Sequence, residues 1–200
     1  MGKKYELVKD DIKKYYGHKL YRIRTLKDFG NIKKGNIGGY IEKEENLSHK
    51  YNCWVYDDAK VFGNAVICGN ARIYGNAEMY GNAEVWDYAR IYGNANVYEH
   101  AIVFGNAKIG KYAYIGNHTN ISLNALISSK DDFACIGGFS EYIFTTFYRC
   151  EDGSVRVNCG CFNGTLDEFR AHVRRTREGY MAKEYLMTAD LMEKRFKNKK

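Results

Sequence analysis

The stretch 55–126 decides the fold. In groups of six it reads VYDDAK VFGNAV ICGNAR IYGNAE MYGNAE VWDYAR IYGNAN VYEHAI VFGNAK IGKYAY IGNHTN ISLNAL, from Val55 to Leu126. The first position of every group is apolar, and the fifth is Ala in all groups but one, where it is Thr119. Gly-Asn fills the third and fourth positions of six groups. A repeat this regular predicts one short structural unit stacked on itself.

The hexad converts directly into backbone geometry. Alternate residues of a strand point to opposite sides, so Ala71 and Ile73 share one face. Gly75-Asn76 then predicts a tight corner, because both residue types tolerate positive φ. A hairpin at every corner would swap the apolar face from turn to turn, and no common core would form. A solenoid with three sides and 18 residues per coil keeps all apolar positions inside, with coils roughly 4.8 Å apart.

These hexads resemble the left-handed parallel β-helix of hexapeptide-repeat proteins, and the resemblance alone implies the handedness. The hexad frame extends weakly upstream, with Ile37 at a first position and Leu47 and Cys53 at fifth positions. The sequence therefore predicts a mainly β protein with a solenoid over 37–127. About five coils would span roughly 24 Å.

Two appendages flank the predicted solenoid. Residues 1–36 form a basic β cap, with a strand at 20–24, because an open solenoid end needs covering. Residues 128–200 form a ββαα unit. Its strand runs 143–150 and 155–162 are joined by a hairpin signal, and a capping box at Thr165 opens the first helix.

Composition favours a soluble protein of a reducing cytoplasm. No signal peptide or membrane-spanning apolar run is visible, and six cysteines form no secreted framework. The net charge is +7, but residues 37–127 hold more acidic than basic side chains. The basic charge thus belongs to the two ends, where it serves solubility or attracts nucleic acid or an acidic protein.

Aromatic residues fill most second positions, which point outward. Residues 18 apart stack, which predicts three columns of rings along the solenoid. Such columns stabilise neighbouring strands, or they serve as interface anchors. We expect self-support on two sides and a contact on the third, as in the trimers common among hexapeptide-repeat proteins; a trimer or dimer is expected. The partner-binding candidates are Tyr80, Trp86, Tyr98 and Phe104.

Two further groups carry charge chemistry. His100 and His118 take fourth positions 18 residues apart, so they should stack. They are candidates for a catalytic base, but His also tolerates the positive φ expected at the corner, and we favour this structural role. Arg170, Arg174 and Arg177 lie at helical spacing and are candidate phosphate contacts, although a solvated helix face is more common.

The chain also closely resembles a family of uncharacterised phage and prophage proteins from low-GC bacteria. The segments that carry the resemblance are LYRIRTLKDFGNIKKGNIGGYIEKEENLSH (20–49), CWVYDDAKVFGNA (53–65) and TTFYRCEDGSVRVNCGCFNGTLDEF (145–169). The resemblance implies the cytoplasm of a bacterial host as the location, and it implies no catalytic residue.

Three functions fit these observations. The favoured one is a non-enzymatic phage-type protein that binds and blocks a host macromolecule, such as a nucleic-acid-targeting defence complex. A hexapeptide-repeat acyltransferase using His100 or His118 is the alternative, but no loop for a thioester cofactor interrupts the hexads. The third is a self-assembling structural protein, against which the folded ends argue. No cofactor, metal site or membrane contact is expected.

Overall fold

The structure, a computed structural model, describes residues 2–137 and 143–197. The chain opens with an antiparallel hairpin of β1 (Tyr5–Tyr15) and β2 (His18–Thr25). Strand β3 (Ile37–Ile41) pairs with β2 in antiparallel fashion. A single 3-10 turn at Glu44–Asn46 follows.

Short strands of two residues make up the rest of the solenoid. In chain order they are β4 (Trp54–Val55), β5 (Lys60–Val61), β6 (Val66–Ile67), β7 (Arg72–Ile73), β8 (Glu78–Met79), β9 (Glu84–Val85), β10 (Arg90–Ile91), β11 (Asn96–Val97), β12 (Ile102–Val103), β13 (Lys108–Ile109), β14 (Tyr114–Ile115), β15 (Asn120–Ile121) and β16 (Leu126–Ile127). Each strand ends on the apolar first position of a hexad, so the strand carries one outward and one inward side chain.

These strands stack into three parallel sheets, which we call faces 1, 2 and 3. Face 1 contains β3, β5, β8, β11 and β14, and β2 and β1 extend it at one edge. Face 2 contains β6, β9, β12 and β15, and face 3 contains β4, β7, β10, β13 and β16. Neighbouring strands of a face are offset by 18 residues, as in the pair Arg72 and Arg90. The predicted β-solenoid of about five coils is therefore confirmed.

The interior follows the hexad as predicted. First and fifth positions, such as Ile91 and Ala95, have no exposed surface. Ile91 pairs in register with Ile73 on one side and Ile109 on the other. Small Ala side chains leave room for the larger aliphatic ones, and the result is a continuous core along the coil axis.

The corners differ from the prediction in one respect. Positive φ falls on the third hexad position, as at Gly75 (φ 71) and Glu99 (φ 55), and not on the fourth. His100 and His118 therefore do not occupy left-handed backbone, and the expected conformational reason for His at these positions is wrong. A carboxylate at the third position can also join two coils: Asp87 accepts a hydrogen bond from Gly105 N at 3.1 Å in the next coil.

The first coil is out of the expected register. Leu47 pairs with Ile67 and Tyr40 with Lys60, which is an offset of 20 residues instead of 18. Leu47 consequently takes a first position and not a fifth. Ile37 is not in the core; it lies opposite Arg24 and is 56% exposed. Two extra residues in the turn at 48–53 cause this shift.

The N-terminal hairpin covers one edge of the first coil. The strand predicted at 20–24 lies within β2, whereas β1 was not predicted. Tyr5 of β1 is fully buried, and its hydroxyl donates to Leu47 O at 2.7 Å. Lys4 is also buried, and its Nζ donates to Cys53 O at 2.9 Å. The cap is thus part of the core.

The C-terminal unit has more strands than the ββαα prediction. Its described residues contain β17 (Phe133–Ile136), β18 (Thr145–Arg149), β19 (Val155–Cys159) and β20 (Phe162–Thr165), ordered β17-β18-β19-β20 in one antiparallel sheet. The hairpin between β18 and β19 is confirmed. Helix α1 (Leu166–Thr176) begins after the predicted capping box at Thr165, and α2 (Gly179–Lys197) packs against it.

This sheet closes the far end of the solenoid. Ala125 bridges to Cys150, and the Ser122 hydroxyl lies 3.0 Å from the Tyr148 hydroxyl. Asn158 donates from Nδ2 to Asn120 O at 2.8 Å. Polar groups of the last coil therefore find hydrogen-bond partners in the appended sheet. In the described ranges, no helix has the length and apolarity to cross a bilayer.

Candidate functional site

The outward side chains come from the second and sixth hexad positions, and they differ from face to face. Second-position rings stack as predicted: Phe62 on Tyr80 at 5.2 Å, and Tyr80 on Tyr98 at 5.3 Å. Trp86 stacks on Phe104 at 4.9 Å. Tyr80 and Tyr98 belong to face 1, whereas Trp86 and Phe104 belong to face 2. The four candidate residues therefore lie on two sides of a corner.

Face 1 carries an aromatic cleft beneath the N-terminal hairpin. The cleft measures about 630 Å³, and Tyr15 and Tyr16 of the hairpin lie over it. The Tyr15 hydroxyl donates to Glu78 at 2.5 Å, and Lys60 lies 3.2 Å from the same carboxylate. Burial and the Glu78 hydrogen bond raise the pKa of Tyr15. The charged groups of this cleft are thus already paired with each other.

Face 2 is the most apolar of the three. Its sixth positions include Val66, which is 38% exposed, and Ile102. Beside them stands the Trp86–Phe104 stack. Glu84 is the acidic residue of this strip. The Trp86 indole N–H is shielded from solvent and has no acceptor within the described residues.

Face 3 combines cations with tyrosines. Arg72, Arg90 and Lys108 occupy sixth positions of successive coils and pair in register. Tyr74 stacks on Tyr92 at 5.6 Å beside them. Residues 37–127 still hold more acidic than basic side chains, but three of their basic residues are gathered in this column. Applying the 18-residue period to the sixth position, as was done for the second, would have revealed this column.

The two candidate histidines stack as predicted, with ring centroids 4.9 Å apart, and Phe144 stacks on His118 at 4.3 Å. Both histidines are exposed. In residues 2–137 and 143–197, neither imidazole has a hydrogen bond or an ion pair. A general base needs an acceptor or carboxylate that fixes its tautomer, and none stands here.

The arginine row of α1 does not form one free surface. Arg170 is only 11% exposed and pairs with Asp167 at 3.0 Å, Asp190 at 2.8 Å and Glu193 at 2.5 Å. Arg177 follows the helix as its C-cap, and its guanidinium lies 5.7 Å from the Tyr185 ring centre. Arg174 is exposed. Arg170 is thus a structural ion-pair residue that joins α1 to α2.

Comparison with known proteins yields one partial match. No family model matches the chain. A segment of 51 residues is 43% identical to the Uncharacterized acetyltransferase YdcK of Escherichia coli (strain K12). The segment is 25% of this chain and 16% of that protein, so the chain spans about a sixth of the length of the curated relative. The match and the stacked strands agree with the resemblance to hexapeptide-repeat β-helices, and neither bears on a phage origin.

Proposed function

We propose that the chain is a non-enzymatic interaction protein that docks a folded protein partner on face 2. The observation that carries this proposal is the chemistry of the face, where exposed Val66 and half-buried Ile102 flank the stacked rings of Trp86 and Phe104. Large aromatic anchors surrounded by aliphatic side chains are typical of interface centres. A closed β-solenoid also presents them preformed, so binding orders few groups.

The expectation that the partner is a host macromolecule, blocked by a phage-type inhibitor, stays a prediction. The rigid scaffold supports the inhibitory part, because a preformed surface can compete with a natural partner without refolding. Self-assembly end to end is less favoured, since the hairpin at one end and the β17–β20 sheet at the other take up strand edges.

Acyl transfer is the second candidate function, and the partial similarity to YdcK favours it. His100 or His118 would then act as the base. Their exposure, and the lack of an orienting carboxylate among the described residues, argue against this role. Calorimetry with acetyl-CoA tests it directly. We expect no saturable binding, and micromolar affinity that His100→Ala or His118→Ala weakens would establish the enzyme instead.

The docking face is tested by affinity capture from host lysate with quantitative mass spectrometry. The variant Val66→Lys/Ile102→Lys places two charges on face 2 without touching the core. The matched control, Asn94→Lys/Asn96→Lys, adds the same charge near face 1. We expect the first variant to lose a partner that wild type and the control both retain.

Affinity for the identified partner then gives a quantitative check. Trp86→Ala should weaken binding by more than about 2 kcal/mol, or roughly 30-fold in Kd, as truncation of a central anchor does. Equal loss in the Asn94→Lys/Asn96→Lys control, or an unchanged Kd for both face 2 variants, would exclude face 2 as the docking surface.

A further inference from the structure

Face 3 carries a column of like charges that the fold does not require. Arg90 pairs in register with Arg72 in one neighbouring coil and with Lys108 in the other. Cations directly opposite each other on adjacent strands repel and destabilise a sheet. The corresponding positions on face 1 alternate in chemistry, with Lys60 opposite Glu78 and an ion pair between them.

The two arginines of this column are not neutralised within the protein. Arg72 is half-buried and Arg90 exposed, and in the described ranges neither guanidinium has an ion pair or a hydrogen bond. Lys108, by contrast, pairs with Glu151. Arg22 shows what a structural arginine of this chain looks like, since it reaches Asp58 at 3.0 Å and Asp11 at 3.5 Å. The free guanidiniums therefore present donors to an external acceptor.

Tyrosine rings run parallel to the cations. Tyr74 and Tyr92 are stacked, but Tyr56 stands at 90° to Tyr74 with ring centroids 6.4 Å apart. Tyr56 is therefore turned out of the parallel stack that Tyr74 and Tyr92 form. Burial raises the pKa of Tyr56, and the nearby charge of Arg72 opposes that rise, which agrees with their closeness.

A cavity joins the two columns. It measures about 370 Å³ and is lined by Tyr56, Tyr74, Arg72, Arg90 and Asp57, with Asn31 and Ile32 of the loop between β2 and β3. Asp57 is engaged by the corner, where its carboxylate accepts the Gly75 N–H at 2.8 Å. The lining thus has two cations against one carboxylate, and its volume lies in the range of small-ligand sites.

We propose that face 3 binds single-stranded nucleic acid, with phosphates on Arg72, Arg90 and Lys108 and a base in the cavity against Tyr56. Guanidiniums match phosphate oxygens, and aromatic rings accept any base by stacking. A duplex keeps its bases stacked on each other and cannot use the rings. This surface is separate from face 2 and does not depend on the protein-docking proposal.

The test is fluorescence anisotropy with a labelled oligothymidylate of about 12 nucleotides. Affinity is measured between about 50 mM and 200 mM KCl, because each neutralised phosphate of a single strand contributes about −0.7 to the slope of log K against log salt. Two or three contacts predict a wild-type slope of about −1.4 to −2.1. Arg72→Gln/Arg90→Gln should make that slope shallower by about 1.4.

The matched control is Lys183→Gln/Lys194→Gln, which removes the same charge from exposed positions of α2. The salt slope of this control should equal that of wild type. The variant Arg72→Lys/Arg90→Lys keeps the positive charges and should retain most of the wild-type slope. Thermal melts verify folding, and the Gln variant should melt no lower than wild type because it relieves repulsion.

Three outcomes would overturn the proposal. The first is the same salt slope in wild type and Arg72→Gln/Arg90→Gln. The second is an equal change in the α2 control, which would indicate a diffuse charge effect. The third is that a duplex of the same length, or poly-glutamate, binds as tightly with the same arginine dependence, since stacking on Tyr56 would then contribute nothing.

Discussion

Asp87 offers a test of how this solenoid tolerates side chains at its corners. It occupies a third hexad position with φ 57, where the chain more often has Gly. Its carboxylate accepts the Gly105 N–H of the next coil at 3.1 Å. Asp57 holds Gly75 N, and Glu99 holds Asn117 N, in the same way. We infer that this hydrogen bond offsets the backbone strain.

Two substitutions separate the strain from the hydrogen bond. Asp87→Ala keeps the left-handed backbone and loses the acceptor, so it should destabilise the fold by about 1–2 kcal/mol. Asp87→Gly loses the same acceptor but relieves about 1–2 kcal/mol of strain. Gly also has more conformational entropy to lose on folding, which cancels about 0.5–1 kcal/mol of that stabilisation. The Gly variant should therefore be more stable than the Ala variant by about 0.5–1 kcal/mol.

Urea denaturation followed by tryptophan fluorescence gives the free energies of unfolding. Glu84→Ala is the control, because it removes an exposed acid of face 2 that caps no corner, and it should stay within about 0.5 kcal/mol of wild type. Hydrogen exchange at the Gly105 amide should accelerate in both Asp87 variants. An Ala variant as stable as the Gly variant, or unchanged exchange at Gly105, would refute the proposed balance.

Three further predictions concern stability. In urea melts, Ile91→Ala should lower the free energy of unfolding by about 2–5 kcal/mol and Asn94→Ala by less than about 0.5 kcal/mol, because only Ile91 is buried. The reverse order would contradict the assignment of Ile91 to the inside of the solenoid. Glu168 accepts hydrogen bonds from Thr165 N and Oγ1, which lowers its pKa below 4.5. Its ionised form stabilises the fold above pH 4.5 and is lost as pH falls through the lowered value, so Glu168→Gln should reduce the acid sensitivity of α1 seen by circular dichroism. Burial lowers the pKa of Lys4 below 10.5. Just below pH 10.5 the unfolded chain therefore binds more protons than the folded chain. The free energy of unfolding of the wild type should consequently rise with pH in this range relative to that of Lys4→Met. Parallel pH profiles of the two proteins would argue against a buried ammonium.

The solenoid interior was predictable because one residue type recurs at one geometric position. Every coil places its apolar first position and its Ala against the same axis, so the period of six determines which side chains are buried. The columns of aromatic rings were predictable from the same period, because three hexads make one coil and place every eighteenth residue in one column. The φ pattern did not follow, because Gly-Asn contains two residues that tolerate positive φ, and the residue types alone do not tell which of the two adopts it.

The flanking units were predicted less completely for a different physical reason. Strand β1 is rich in charged residues and lacks clear alternation, and its pairing depends on β2. Two extra residues at 48–53 shift the register of the first coil, and no local signal marks them. Arg170 fits the spacing of a surface row, but acids from α2 neutralise it, and such partners are distant in sequence.

The three faces explain how one repeat can carry several surfaces. Folding depends on inward positions and corners, whereas within the solenoid each outward column pairs with its own face above and below. A face can therefore change its chemistry without disturbing the coil, as the paired charges of face 1, the apolar strip of face 2 and the cations of face 3 illustrate. Packing alone would not select Arg72 opposite Arg90, since the register makes them repel. The two unpaired guanidiniums of this column are thus the outward feature that folding explains least, and an anionic ligand explains them best.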